Sequence, residues 1–297
     1  MAMRNPVGRA NYQPNSFGLG PRESNGKGFR SFAENEDGPK SRLRPESFAD
    51  HYSQARQFFI SQTDCEQQHI AAALTFELSK VKTAVIRERV VSHLLNIDEG
   101  LAAKVAEKLG LQKMPKPADA AVATRQDLEA SPALSIVSNG PQRFEGRKLG
   151  ILVTDGVDAK LLSALKAAVI KEGGTCEIVA PKVSGAEADD GTLIEADEMI
   201  DGGPSVLFDA VALMAGEAGV ADLLAESTAR DFVADAFAHC KFIAYVEAAK
   251  PLFAKAGIAD VLDEGVIPLS AKKDIAAFVA KLSDLRLWAR EPIVKKP

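Results

Sequence analysis

Leu149-Gly150-Ile151-Leu152-Val153-Thr154 is an apolar run of strand length, rich in aliphatic and β-branched residues, and Asp155-Gly156 ends it. Leu161, Leu162, Leu165, Ala168, Val169 and Ile170 then fall on one face at helical spacing, while Lys160, Lys166, Lys171 and Glu172 stay off it. Gly173-Gly174 closes that helix where a positive φ is needed. A second run, Cys176-Glu177-Ile178-Val179-Ala180, stops at Pro181. Strand, amphipathic helix and strand within residues 147–181 make a βαβ unit, whose strands are parallel.

Downstream residues continue the alternation. Leu193-Ile194-Glu195-Ala196-Asp197 reads as a short strand, residues 210–215 as a buried strand and residues 229–239 as a helix with Phe232, Val233, Ala236 and Phe237 inward. Residues 242–246 form the next strand, Glu247 leads into a helix over 248–256, and residues 274–290 read as a terminal helix. The class over 147–297 is α/β of flavodoxin-like layout.

Upstream the pattern changes. Residues 1–45 hold Pro and Gly at short intervals and no sustained period, with Tyr12, Phe17, Phe29 and Phe32 spaced as anchors, so they read as an extended wrapping arm. Residues 46–110 read as a small all-α domain. The run Pro45-Glu46-Ser47-Phe48-Ala49-Asp50 starts its first helix, which extends through Gln57, with Phe58, Phe59 and Ile60 continuing the apolar character. Thr63 and Glu66 stand at capping-box spacing before the stripe Ile70, Leu74, Leu78, with further helices near 85–95 and 100–109. Residues 111–146, rich in Pro, Ala, Ser and Asp, read as a surface-hugging linker.

Charge is unevenly placed: the balance is +4 over residues 1–45, −2 over 46–146 and −7 over 147–297, for a net −5. The basic arm has no Lys/Arg block, which argues against nucleic-acid binding. No apolar run reaches the ~18 residues of a membrane span, and the N-terminus lacks the apolar segment of a signal peptide, so a cytoplasmic location is expected. The three cysteines, Cys65, Cys176 and Cys240, are scattered and contain no Cys-x-x-Cys pair. Neither a disulfide framework nor a protein-built metal site is expected.

In an open α/β sheet, ligands bind beyond the carboxyl ends of the strands, here Thr154-Asp155-Gly156, Ala215-Gly216-Glu217 and Val246-Glu247-Ala248. No phosphate loop and no Gly-x-Gly-x-x-Gly follows the first strand. The strand-to-helix elbow where such folds place a nucleophile carries Glu247. His239 and Cys240 are adjacent, but neighbouring side chains rarely face each other, and a packing cysteine is the favoured reading. Cys176 lies within a strand, His51, His69 and His93 read as polar-face or cap residues of helices, and Trp288 as core packing.

Asn11-Tyr12-Gln13-Pro14-Asn15-Ser16, the run from Arg44-Pro45-Glu46-Ser47-Phe48-Ala49-Asp50 through His51-Tyr52-Ser53-Gln54-Ala55-Arg56-Gln57-Phe58-Phe59, Phe76-Glu77-Leu78-Ser79-Lys80 and residues 87–96 resemble the wrapping arm and helical domain of large-subunit haem catalases. Those enzymes carry a C-terminal flavodoxin-like, glutamine-amidotransferase-like domain, which residues 208–216 and 234–250 resemble. The resemblance implies hydrogen peroxide disproportionation by the parent family, using haem and a distal histidine, a distal asparagine and a proximal tyrosine in a β-barrel that precedes the arm. None of those residues maps here; Tyr12, Tyr52 and Tyr245 sit in other contexts.

The resemblance places Glu247 where related amidotransferases have cysteine, Leu161 where some have an assisting glutamate, and Gly216 in the former oxyanion-type loop. The expectation is a C-terminal portion of a catalase, from a truncated reading frame or a separately encoded piece, that binds no haem alone and contributes assembly and stability. Its expected partners are further copies of itself or a haem-bearing domain. The alternatives are a stand-alone chaperone-like binding module and, disfavoured by Glu247, a hydrolase or deglycase.

Overall fold

A computed structural model describes residues 37–294 of the chain. It divides into two compact units, Met1–Ala49 and Asp50–Pro297. The proposed arm anchors Tyr12, Phe17, Phe29 and Phe32 lie outside the described residues. In the first unit the described part holds one 3-10 turn, Glu46–Ala49.

The second unit begins with four helices: α1 (Ser53–Ile60), α2 (Asp64–Ser79), α3 (Ala84–Leu94) and α4 (Glu99–Lys108). The helix expected to run unbroken from Glu46 is interrupted, because the Asp50 carboxylate accepts the backbone N–H of Tyr52 (3.3 Å) and of Ser53 (3.0 Å) and so starts α1 afresh. Phe59, Ala71, Leu78, Val91, Leu94, Leu101, Ala102 and Val105 close a core of their own among these helices.

Residues 109–147 contain only a 3-10 turn at Pro132–Leu134 and a short helix, α5 (Ile136–Asn139). This segment is clipped to the helices by hydrogen bonds: Asn96 Nδ2 donates to Ala118 O (2.9 Å), Arg125 N to Ser53 Oγ (2.9 Å) and Ser131 N to Ser61 Oγ (2.8 Å). Its backbone groups need such partners, since it makes no ladder of its own.

The remainder is a six-stranded parallel sheet with helices on both faces. Its strands are β1 (Lys148–Val153), β2 (Thr175–Ala180), β5 (Glu198–Met199), β6 (Ala210–Met214), β7 (Ile243–Tyr245) and β8 (Val266–Pro268), in the order β5-β2-β1-β6-β7-β8. A separate antiparallel pair joins β3 (Ala186–Glu187) to β4 (Leu193–Ile194). Between them lie α6 (Ala159–Lys171), α7 (Val220–Ala225), α8 (Ser227–Ala238), α9 (Pro251–Lys255), α10 (Lys272–Lys281) and α11 (Glu291–Val294).

The opening stretch folds as its pattern dictates. Asp158 caps α6 by accepting Leu161 N (2.8 Å), and Gly173, at φ 75°, ends the helix with its N–H on Ile170 O (2.9 Å). Alternation along the central strands feeds two cores. Leu149, Ile151 and Val153 of β1 pack with Leu162, Leu165 and Phe278 from α6 and α10. Leu152, with Val211 and Leu213 of β6, packs with Phe232, Phe237 and Phe253 from α8 and α9.

Three expectations are corrected. Residues 193–197 do not form one strand: β4 ends at Ile194, and the Asp197 carboxylate caps the β2 edge by accepting Ile178 N (2.8 Å) before β5 starts. The helix expected over 248–256 is a 3-10 turn at Glu247–Ala249 followed by α9, since Pro251 opens a new helix. The terminal helix stops at Lys281; Leu285 takes φ 63° in a tight turn, with Arg286 N on Asp284 O (2.7 Å), and the chain folds back through Trp288 into α11.

Candidate functional site: a cleft at the sheet switch point

The strand order reverses between β1 and β6, and a cleft of about 240 Å³ opens beyond their carboxyl ends. Gly156, Leu161, Met214, Gly216, Val246 and Ser270 are among its lining residues. That volume falls below the roughly 300–1,000 Å³ of ordinary ligand pockets.

Gly216 sits in this cleft because no other residue fits: a Cβ there would run into Asp155 O and the Gly156 backbone. Its N–H, the group that would face an oxyanion, instead donates to the buried Thr154 Oγ1 at 2.9 Å. A donor already engaged in the fold has no free hydrogen to offer a tetrahedral oxyanion. Leu161 lines the cleft as an apolar wall.

Glu247 is not part of that wall. It is exposed and pairs with Lys250 Nζ at 3.1 Å, a contact that raises the Lys250 ammonium above its ordinary value. Among the described non-glycine residues, positive φ occurs only at Cys240 (56°) and Leu285 (63°), so the chain at Glu247 lacks the left-handed backbone of a strained elbow. Two acids line the cleft: Asp158, which caps α6, and Glu217, which is exposed; Asp155 close by accepts Glu187 N at Oδ1 (2.9 Å).

The other cysteine and histidine candidates separate. His239 Nδ1 meets Asp235 O (2.7 Å) at the end of α8, while Cys240 is buried in the turn that follows, so the pair does not face one another as a dyad. Burial pushes the Cys176 thiol up to about 11 against the weaker pull of Lys166, which keeps it protonated near neutral pH. Among the described residues, no cluster of three or more His, Cys, Asp or Glu has metal-binding geometry, and no helix is long and apolar enough to cross a membrane.

Strong polar organisation lies elsewhere, at contacts that join distant segments. Glu66 accepts from Thr63 N (2.9 Å), Thr63 Oγ1 (2.8 Å), Ser135 Oγ (2.8 Å) and Val137 N (2.9 Å). Burial alone would raise its carboxyl; the hydrogen bonds from Val137, Thr63 and Ser135 outweigh it and hold it at about 2. Arg290, 1% exposed, forks onto Asp263 (2.6 and 2.7 Å), donates to Lys241 O (2.6 Å) and lies over the Phe237 ring. The adjacent Glu291 receives His69 Nε2 of α2 at 2.7 and 2.8 Å, with Trp288 edge-on to the same imidazole.

Lys241 is buried too and donates to Ser205 O (2.5 Å) and Phe208 O (2.7 Å). Burial, helped by Arg286 and opposed by Asp209 and Asp235, lowers its ammonium to about 8. Of these groups the sequence signals only Thr63 and Glu66, by their spacing. Arg290, His69 and Lys241 act through partners in distant segments, which periodicity does not reveal.

The architecture is a helical module followed by a parallel α/β domain with a cleft at its sheet switch point. Two family descriptions match it: "Catalase-related immune-responsive" over residues 45–109, and "C-terminal domain found in long catalases" over residues 145–292. Catalase C of Rhizobium meliloti (strain 1021) is 67% identical over 295 residues, covering 99% of this chain and 42% of the relative. Catalase HPII of Pseudomonas putida is 37% identical (96% and 40%), and Catalase HPII of Pseudomonas aeruginosa 38% identical (97% and 41%). The chain belongs to the large-subunit catalases and corresponds to their C-terminal part, spanning about two-fifths of the length of these curated relatives.

Catalases of this family depend on haem. Several described side chains that could ligate iron are already placed in the fold. Tyr52 Oη is engaged by His93 Nδ1 at 2.8 Å, Tyr245 packs edge-on to Phe253 at 4.9 Å, and His69 is held by Glu291. A cavity of about 580 Å³ is lined by charged side chains such as Arg87, Glu88 and Lys113 beside Met114, rather than by the apolar walls of a haem slot.

Proposed function

We propose that this chain serves a haem catalase as an assembly and stability element, with neither peroxide disproportionation nor acyl transfer at its own residues. The single observation that carries this reading is the Gly216 N–H, engaged by Thr154 Oγ1 at the mouth of a cleft that no cysteine or histidine lines. Peroxide disproportionation then belongs to a haem-bearing catalase part that this one adjoins, within an oligomer. The five longer strands run β2-β1-β6-β7-β8, or 2-1-3-4-5 in chain order, which supports a flavodoxin-like sheet of the glutamine-amidotransferase-like kind. On this reading Glu247 and Gly216 mark a retired nucleophile elbow and oxyanion loop.

Haem titration of the purified 297-residue chain, read by Soret absorbance and by oxygen release from added peroxide, tests the reading. The expected result is neither stoichiometric haem nor oxygen. Tight haem binding with peroxide turnover would overturn it, because the chemistry would then lie at this chain's own residues.

A further inference from the structure

Tyr52 and His93 form a pair that serves neither the sheet cleft nor the module joint. Tyr52 lies just before α1 with 7% of its surface exposed, and its hydroxyl is 2.8 Å from Nδ1 of His93 on α3. The rings stack with centroids 6.1 Å apart and 29° between planes. Both ends are held: Asp50 accepts Tyr52 N and Ser53 N, Ser53 Oγ accepts Arg125 N, and Val91 and Leu94 beside His93 are buried.

Removing an electron from a phenol makes its hydroxyl strongly acidic, so oxidation is facile only where a base waits within hydrogen-bond reach of the proton. A neutral imidazole with its hydrogen on Nε2 presents Nδ1 as that base. The burial is split in the useful sense: the phenol is enclosed and His93 is exposed, so a proton received at Nδ1 can be passed to water from the other ring nitrogen. The other titratable groups nearby are Asp50, which is occupied by the α1 cap, and His51, whose ring stands edge-on to Tyr52 at 6.1 Å.

We infer that Tyr52 and His93 constitute a proton-coupled one-electron donor site. A one-electron oxidant, of the photoexcited metal-complex or peroxide-derived radical class, takes one electron from Tyr52 and is reduced by one. The Oη–H bond breaks and its proton passes to His93 Nδ1, leaving a neutral phenoxyl radical and an imidazolium that releases its Nε2 proton to water. This goes beyond the assembly role and is independent of it, since it needs neither haem nor the sheet cleft.

The test is flash photolysis of the full chain with a ruthenium tris-bipyridine complex and a cobalt(III) quencher, followed by EPR and transient absorption. The chain holds three tyrosines, so Tyr52→Phe, Tyr12→Phe and Tyr245→Phe assign the signal. The phenoxyl radical is expected to vanish in Tyr52→Phe and persist in the other two. His93→Phe, and His93→Gln as a variant that keeps a polar side chain but no base, should each slow radical formation on the order of 100-fold and abolish its solvent isotope effect. A radical that survives Tyr52→Phe, or a rate unchanged in both His93 variants, would overturn the assignment.

Discussion

Arg290→Met removes the guanidinium that ties the C-terminal turn to the α/β domain. Arg290 is fully enclosed, and its fork satisfies both oxygens of Asp263 at 2.6 and 2.7 Å while a third nitrogen serves Lys241 O at 2.6 Å. Methionine fills much of the same volume but strands the Asp263 carboxylate, leaving it only Gly265 N at 2.9 Å. Breaking a buried pair from one side costs about 3–5 kcal/mol, and the orphaned carbonyl contributes within that range rather than on top of it. At about 4 kcal/mol, the unfolding midpoint should fall by roughly 8–16 °C, using ~2–4 °C per kcal/mol for a unit of this size. Differential scanning calorimetry with urea titration measures it. The double variant Arg290→Met with Asp263→Leu should recover most of the loss, because an apolar pair replaces an uncompensated charge. A loss under about 1 kcal/mol in the single variant, or no recovery in the double, would refute the claim that the ion pair holds this turn.

Glu66 should dominate an acid limb of stability: its carboxyl is held at about 2 in the fold, against about 4.3 unfolded, so its contribution is present above that ordinary value and is lost as pH falls from about 4 towards 2. Glu66→Gln should flatten the limb, cost about 1–2 kcal/mol at neutral pH after discounting for solvent screening, and expose residues 131–139 to limited proteolysis; an unchanged acid limb would count against the clasp. Glu247→Cys should not release ammonia from glutamine even with Thr154→Val added to free Gly216 N–H, because no histidine lines the cleft; measurable turnover would show that the site retains a base.

The βαβ unit was legible because each of its signals is local. The strand run from Leu149, the apolar stripe from Leu161 and the Gly173 stop all act within a few residues. The same logic identified the α2 start from Thr63 and Glu66. It failed where the decisive partner is remote. Apolar spacing through Leu285 extended a helix that the turn at Leu285 breaks, and the strand-forming look of residues 193–197 concealed a carboxylate that caps β2. The candidate site was legible as a location: strand ends and a switch point follow from topology. That Gly216 spends its N–H on Thr154 is a contact between segments 62 residues apart, which the sequence does not display.

The Thr154–Gly216 bond also ties the β1 and β6 ends of the cleft together. An oxyanion loop in a working enzyme holds unsatisfied donors, and such donors are costly when buried. Here Thr154 sits 3% exposed at the end of β1 and accepts the Gly216 N–H beyond β6, an ordinary strand-end contact. Glu247 is set out in solvent on Lys250. On the proposed reading both contacts favour stability over reactivity, the direction expected when a domain's contribution lies in being folded and joined to its neighbour. The joint is built with the same economy: successive residues at the C-terminal turn, Arg290 and Glu291, face opposite ways, one into the α/β core and one onto His69 of α2. A single turn therefore fixes the helical module to the α/β domain, and loosening it at Arg290 should be felt at His69.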